Sequence, residues 1–143
     1  MTVVMIERTA LGIAGVTALG IGAFILVAPH AFYAGYCISL GDDVNLLSEL
    51  RGPAVGLAAS GIVMLTGIWR SGMRQISIVV ALTVFLAFPA GRLVGLLADG
   101  VPSGSVIGAL AIELAIAALC LFAFRHRLGW RVPEGTNSRV AAP

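Results

Sequence analysis

Long runs of apolar residues alternate with short polar stretches along this chain. Four runs are apolar almost throughout, and they cover residues 10–28, 52–69, 76–98 and 106–124. Each is close to the 17–25 residues that a helix needs to cross a hydrocarbon core of about 30 Å. Because backbone polar groups find no water in lipid, each run is predicted to be helical. The pattern therefore predicts an all-α fold, an integral membrane four-helix bundle.

The composition agrees with this class of protein. Of the 143 residues, 59% are hydrophobic and 11% are charged, whereas a soluble domain is about 45–50% apolar and about 25% charged. The nine basic residues are scattered between the apolar runs, so no basic face for nucleic acid is expected. We predict one membrane domain over residues 1–131 and a polar, disordered cytoplasmic tail over 132–143.

The first apolar run is interpreted as a retained span. The apolar region of a secretory signal peptide has roughly 7–15 residues, and this run is longer. No small-x-small cleavage site follows it. After it, residues 30–36 are predicted to form a short interfacial helix. Asp42 and Asp43 are typical N-cap residues for the helix that carries the second span.

The distribution of arginines predicts the orientation. Most arginines fall on one side of the predicted membrane, at positions 8, 70, 74, 125, 127, 131 and 139, whereas Asp42, Asp43 and Asp99 fall on the other. The positive-inside rule places the arginine-rich side in the cytoplasm. Both termini are then cytoplasmic, and we expect a multi-pass protein of the bacterial inner membrane.

Two charges inside the predicted spans are expected to pair. Glu113 lies 12 residues before Arg125, which is about 18 Å from the cytoplasmic edge at the rise of an α-helix. Arg92 lies 18 residues after Arg74, about 27 Å from the same edge. Helical side chains lean toward the N-terminus of their own helix. Because the third and fourth helices run in opposite directions, Glu113 and Arg92 lean toward each other.

Several further polar residues belong to the same outer half of the bundle. The predicted network consists of Glu49, Arg51, Arg92, Asp99 and Glu113, with Asn45, Tyr36 and His30 as accessory groups. A charge in mid-bilayer costs about 2.5–3.5 kcal/mol and is by default a functional site with a partner. The alternative is an ion pair that only fixes the helix register. No metal site is predicted, since the two histidines stand alone on opposite sides. No catalytic motif is recognised, so the sequence leans against an enzyme without deciding the question.

Small residues recur at four-residue spacing in the spans. These ridges are Ala14, Ala18 and Gly22 in the first span, Gly52, Gly56 and Ser60 in the second, Ala87, Gly91 and Gly95 in the third, and Ala109 and Ala117 on either side of Glu113 in the fourth. Small residues let helix backbones approach closely in lipid. We expect the ridges to pack the bundle, with homodimerisation through one of them as the alternative.

The polar positions also carry a resemblance. The sequence Asn45-x-x-x-Glu49-Leu-Arg51-Gly52, the pair Gly91-Arg92, the sequence Asp99-Gly100-x-Pro102 and Glu113 resemble a bacterial family of small four-span membrane proteins known only as a domain of unknown function. In layout the chain is similar to the DoxX-like group, whose members include membrane subunits linked to quinone or thiol redox chemistry. The resemblance extends to about Arg127 and implies Arg51, Arg92 and Glu113 as site residues.

Three functions are compatible with these residues. The preferred hypothesis is a polar pocket in the outer half of the bundle that binds a small amphiphile, a quinone or a lipid. The alternative is an assembly factor or accessory subunit that binds another membrane protein through its helix faces. A proton-coupled transporter ranks last: small multidrug exporters have four spans and a glutamate in the first, whereas here Glu7 lies only at the edge of the first span.

Overall fold

The computed structural model describes residues 2–128, and these residues are helical almost throughout. The helices are α1 (Thr2–Val27), α2 (Pro29–Ala34), α3 (Val44–Trp69), α4 (Arg74–Asp99) and α5 (Gly104–Leu128), and a 3-10 turn (Ser71–Met73) separates α3 from α4. No strand occurs within residues 2–128. The all-α prediction is therefore confirmed. The predicted tail over 132–143 lies outside the described residues.

The four long helices coincide with the four predicted spans. Each is long and apolar enough to cross a membrane, which is the architecture of a multi-pass membrane protein. The helices extend past the apolar runs, most clearly in α3, which begins eight residues before residue 52. Its N-cap is Asp43, whose carboxylate accepts a hydrogen bond of 2.8 Å from the backbone N–H of Asn45, so one of the two predicted caps is confirmed.

The short helix α2 was predicted over residues 30–36 and is found at Pro29–Ala34. Proline suits the first turn of a helix because it has no backbone N–H to leave unsatisfied. The chain then turns through Tyr36 and Cys37, where Cys37 has a φ of 61°. This segment lies at the end of the bundle away from the described start of α1 and the described end of α5.

The four long helices form a closed ring. α1 packs against α3 and α5, α4 packs against the same two helices, and α1 and α4 face each other diagonally with little direct contact. The two tight connections, α3 to α4 and α4 to α5, make sequential helices antiparallel neighbours, as in an up-down bundle.

The tightly packed core lies in the half of the bundle near the start of α1. Its members come from the first part of α1, the second part of α3, the first part of α4 and the second part of α5; they include Leu11, Ala14, Met64, Ile78, Ala81, Phe85, Cys120 and Phe124. Because the helices are antiparallel, these segments meet at one end. The other half contains the cavities described below.

Glycines of α1 and α3 let the backbones of these two helices approach closely. A Cβ atom added at Gly61 would lie 2.5 Å from the backbone N of Leu19 and 2.7 Å from the carbonyl O of Gly15. Backbones approach this closely only where a side chain is missing on at least one helix. The predicted ridge of α1 packs inward as expected, since Ala14, Ala18 and Gly22 are buried.

The predicted ridges of α3 and α4 are wrong as packing surfaces within the chain. A Cβ atom at Gly52, Gly56 or Gly91 would meet no atom within 4 Å. In α3 the inward face is instead made by Ala54, Leu57 and Gly61. Because α3 carries small residues on two of its faces, four-residue spacing alone did not distinguish the packed face from the open one.

Candidate functional site

Arg92 of α4 and Glu113 of α5 form an ion pair in the half of the bundle away from the core. The Nε–H group of Arg92 donates to both carboxylate oxygens of Glu113, at 3.0 Å to Oε1 and 2.9 Å to Oε2. The Glu113 side chain is 13% exposed and that of Arg92 is 30% exposed. The structure thus brings together the two charges that the sequence predicted as a pair.

This pair leaves the end of the guanidinium group unused. Within residues 2–128, neither terminal nitrogen of Arg92 has a hydrogen-bond partner. In the described part of the chain, every fully buried side-chain nitrogen or oxygen has a hydrogen-bond partner. The terminal nitrogens of Arg92 are therefore accessible donors, and the charge on Glu113 holds them in place.

A second ion pair, at the opposite end of the bundle, has a different geometry. Arg127 of α5 binds Glu7 of α1 through two nitrogens, with Nε 2.9 Å from Oε1 and Nη2 3.2 Å from Oε2. The Glu7 side chain is 1% exposed. Two parallel hydrogen bonds of this kind fix both groups. Sequence reasoning missed this pair, because its members are 120 positions apart and only the closed ring of helices brings α1 next to α5.

The Arg92–Glu113 pair borders a cavity of about 280 Å³ inside the bundle. All five helices or their adjoining turns contribute to its wall. The apolar lining includes Ala18, Ile21, Ile25, Leu57, Val84, Phe85, Phe88, Val106, Ala109, Ile112 and Ile116. The polar lining consists of Arg92, Glu113, Thr17, Tyr33 and Tyr36. The arrangement provides a mainly apolar space with a few fixed polar groups, which is the usual character of a small-molecule site.

Aromatic rings from α2 and its neighbours cover one side of this cavity. The ring of Phe32 contacts those of Phe24, Tyr33 and Tyr36, with centroid distances of 5.5, 5.3 and 5.2 Å. The contacts with Phe24 and Tyr33 are edge-to-face, a geometry that stabilises aromatic pairs beyond their buried area, and the ring of Tyr36 is tilted by 49°. The hydroxyl of Ser103 also reaches the carbonyl O of Tyr36, at 3.4 Å, and so joins this segment to the loop between α4 and α5.

A smaller cavity of about 200 Å³ lies between the end of α4, the following loop and α5. It shares Arg92 and Val106 with the larger cavity, and Asp99 and Pro102 also line it. Gly100 ends α4 here with a φ of 95°, a conformation that glycine adopts without strain. Arg92 therefore lies between the two spaces.

The remaining predicted site residues do not reach the larger cavity. Glu49, Arg51 and Asn45 are exposed on α3, and none of them lines either cavity. Half-buried Leu50 and buried Ala54 take the inward positions on this part of α3. His30 is exposed, with its Nε2 3.8 Å from Oδ1 of Asp42. Of the predicted network, only Arg92, Glu113 and Tyr36 line the larger cavity, and Asp99 lines the smaller one.

Three cavity residues were missed from the sequence. Phe32 and Tyr33 were interpreted as part of an interfacial helix, and Thr17 lies within an apolar run that gave no reason to single it out.

In the part of the chain that the structure describes, no cluster of three or more His, Cys, Asp or Glu side chains is placed to hold a metal ion.

Fold and site together define a small four-helix membrane protein with an arginine–glutamate pair beside an apolar cavity. The chain belongs to the family named for a domain of unknown function, DUF4345, whose sequence profile matches residues 6–124. No curated protein and no solved structure shows significant similarity to the chain. The match covers most of the chain, as the resemblance implied; the likeness in layout to the DoxX-like group stays a prediction.

Proposed function

We propose that the larger cavity binds a small amphiphile, a quinone or a lipid, with its polar head at Arg92. One observation carries this proposal: Arg92, whose terminal nitrogens have no partner within residues 2–128, lines a cavity whose other walls are mainly apolar. Donors left over in an apolar space favour a ligand with an acceptor oxygen and a hydrocarbon body.

Each member of the pair has its own role in this proposal. Arg92 donates to the head group, and Glu113 positions Arg92 by neutralising its charge and occupying Nε. Without Glu113 the guanidinium group would be an unpaired cation among apolar side chains, which is unfavourable. Arg51, which the resemblance also implied, is exposed outside the cavity, so no contact with the head is assigned to it.

The proposed location follows from the arginine distribution. With both termini in the cytoplasm of a bacterial inner membrane, the cavity half of the bundle belongs to the outer leaflet. A ligand would then enter from that leaflet or from the periplasmic surface.

The test is native mass spectrometry of the protein gently extracted from its own membrane, with identification of the released small molecules. We expect a quinone or a defined lipid in about one-to-one ratio with wild-type protein. Glu113→Gln keeps the size of the side chain but removes the charge that holds Arg92, so retention is expected to fall at least tenfold. Size-exclusion chromatography checks that the variant is still folded.

Glu49→Gln is the matched control, because Glu49 is an exposed glutamate of α3 outside both cavities. It should retain the same molecule as the wild type. Unchanged retention in Glu113→Gln would contradict the proposal.

The second candidate function is an assembly factor or accessory subunit. The observation that favours it is the open space around Gly52 and Gly56 of α3 and Gly91 of α4, where a helix of another membrane protein can approach closely. The same mass spectrum separates the two functions. A stoichiometric polypeptide without an amphiphile would favour assembly.

A further inference from the structure

Thr17 is a further polar residue that lines the larger cavity, together with Tyr33 and Tyr36. Within residues 2–128 its hydroxyl has no hydrogen-bond partner. Thr83 of α4 likewise has no such partner within residues 2–128, whereas Ser60 donates to the carbonyl O of Gly56 at 2.8 Å and Thr66 donates to that of Val63 at 2.7 Å. Such bonds to the preceding turn are the usual way for Ser and Thr to be satisfied in a helix.

Thr17 lies across the bundle from Arg92 and deeper in it. Thr17 is on α1 and Arg92 is on α4, which face each other diagonally. The Glu7–Arg127 pair fixes the relative height of α1 and α5. Counted from this pair, Glu113 lies 14 residues away on α5, and Thr17 lies 10 residues away on α1. At the rise of an α-helix, Thr17 is therefore about 6 Å closer than Glu113 to the end of the bundle that holds the Glu7–Arg127 pair.

The charge and size of the cavity restrict the head group. Arg92 and Glu113 are the charged residues of the lining, and their charges cancel. An anionic head would bring an uncompensated negative charge into an apolar space, which is unfavourable. At about 280 Å³ the cavity is also at the lower limit of small-molecule sites, which begin at about 300 Å³. It is suited to one ring and the start of a chain.

We propose that the ligand has an uncharged ring as its head, with oxygen atoms on two opposite edges. One oxygen accepts from a terminal nitrogen of Arg92, and the other bonds to the hydroxyl of Thr17. This inference rests on the proposed function and adds to it the class of head group and a second binding residue.

The test compares three decyl compounds by isothermal titration calorimetry on the purified chain in lipid nanodiscs. The first is 2,3,5-trimethyl-6-decyl-1,4-benzoquinone, which has oxygens on opposite edges and is fully substituted, so that it does not add to the exposed thiol of Cys37. The second, 2-decylcyclohexanone, has one oxygen. The third, decyl phosphate, is anionic. We expect the benzoquinone to bind at least tenfold more tightly than decyl phosphate.

Thr17→Val removes the hydroxyl and keeps the shape of the side chain. Loss of one hydrogen bond is expected to weaken benzoquinone binding about five- to tenfold and to leave cyclohexanone binding unchanged. Thr17→Ser should restore most of the benzoquinone affinity. Thr83→Val is the matched control, since Thr83 is exposed on α4 and lines neither cavity.

The outcomes separate this inference from the proposed function. If Thr17→Val leaves the benzoquinone affinity unchanged, or weakens benzoquinone and cyclohexanone equally, the role of Thr17 is wrong and the pocket stands. Tightest binding of decyl phosphate would overturn the uncharged head and favour an anionic lipid. If none of the three compounds binds, the proposed function fails together with this inference.

Discussion

The two arginine–glutamate pairs of this chain differ in the guanidinium nitrogens that donate to the carboxylate. Arg127 uses Nε and Nη2 on the two oxygens of buried Glu7, and the two groups are fixed by parallel bonds. Arg92 uses only Nε on Glu113, which leaves its terminal nitrogens without a partner within residues 2–128, and it lines both cavities. We therefore interpret the first pair as a clamp between α1 and α5 and the second as part of the proposed binding site.

The clamp is expected to contribute to stability. Arg127→Met would leave the buried Glu7 carboxylate without the cation that pairs with it, at a cost of about 3–5 kcal/mol. The melting temperature in detergent should fall, as measured by fluorescence-detected size exclusion after heating. Arg125→Met is the control; Arg125 is exposed, and within residues 2–128 its hydrogen bond and its cation–π contact are both with Phe122 of the same helix, with the guanidinium 4.0 Å from the ring centroid.

A double variant checks the cause of this loss. Glu7→Gln combined with Arg127→Met removes the buried charge together with its partner, so its melting temperature should lie above that of Arg127→Met alone. A double variant less stable than the single one would contradict the clamp.

At the scale of elements, α3 presents glycines to two different environments. Gly61 lies against the backbone of α1, whereas Gly56 faces open space. Gly61→Ala would place a Cβ atom 2.5 Å from the backbone N of Leu19. Backbone atoms cannot move aside as the end of a side chain can, so we expect most of the folded protein to be lost.

Gly56→Ala tests the same chemical change on the open face of the same helix. It meets nothing within 4 Å, and alanine favours a helix over glycine by about 0.5–1 kcal/mol. Its yield and melting temperature should equal or exceed those of the wild type. Equal losses in both variants would refute the assignment of the packed face of α3.

At the scale of the whole molecule, the bundle divides into a packed half and an open half. The packed half contains the core and the Glu7–Arg127 pair. The open half contains both cavities, the aromatic cluster and the Arg92–Glu113 pair. A well-packed half can hold the four helices in place while the other half surrounds the cavity of the proposed site.

The two native cysteines provide a test of the proposed orientation. Cys37 is exposed after α2, and Cys120 is fully buried in α5. With the termini in the cytoplasm, a membrane-impermeant maleimide added to intact spheroplasts should label Cys37, and Cys37→Ser should abolish the labelling. Labelling of Cys37 only after the membrane is opened would reverse the orientation.

The sequence by itself determined the number of membrane helices, their approximate bounds and the pairing of Arg92 with Glu113. Helix length and hydropathy are local properties, and the rise of 1.5 Å per residue places charges by depth once the ends are known. The Asp43 cap was also found this way, because capping depends on neighbours in the chain.

Only the tertiary structure decided which helices are neighbours and how each is rotated about its axis. That rotation put Gly52 and Gly56 outward, kept Glu49 and Arg51 away from the cavities and brought Thr17 into the lining. It also joined Glu7 to Arg127 across 120 positions. The physical reason is that rotation and adjacency follow from the packing of all four helices together, which no single segment specifies.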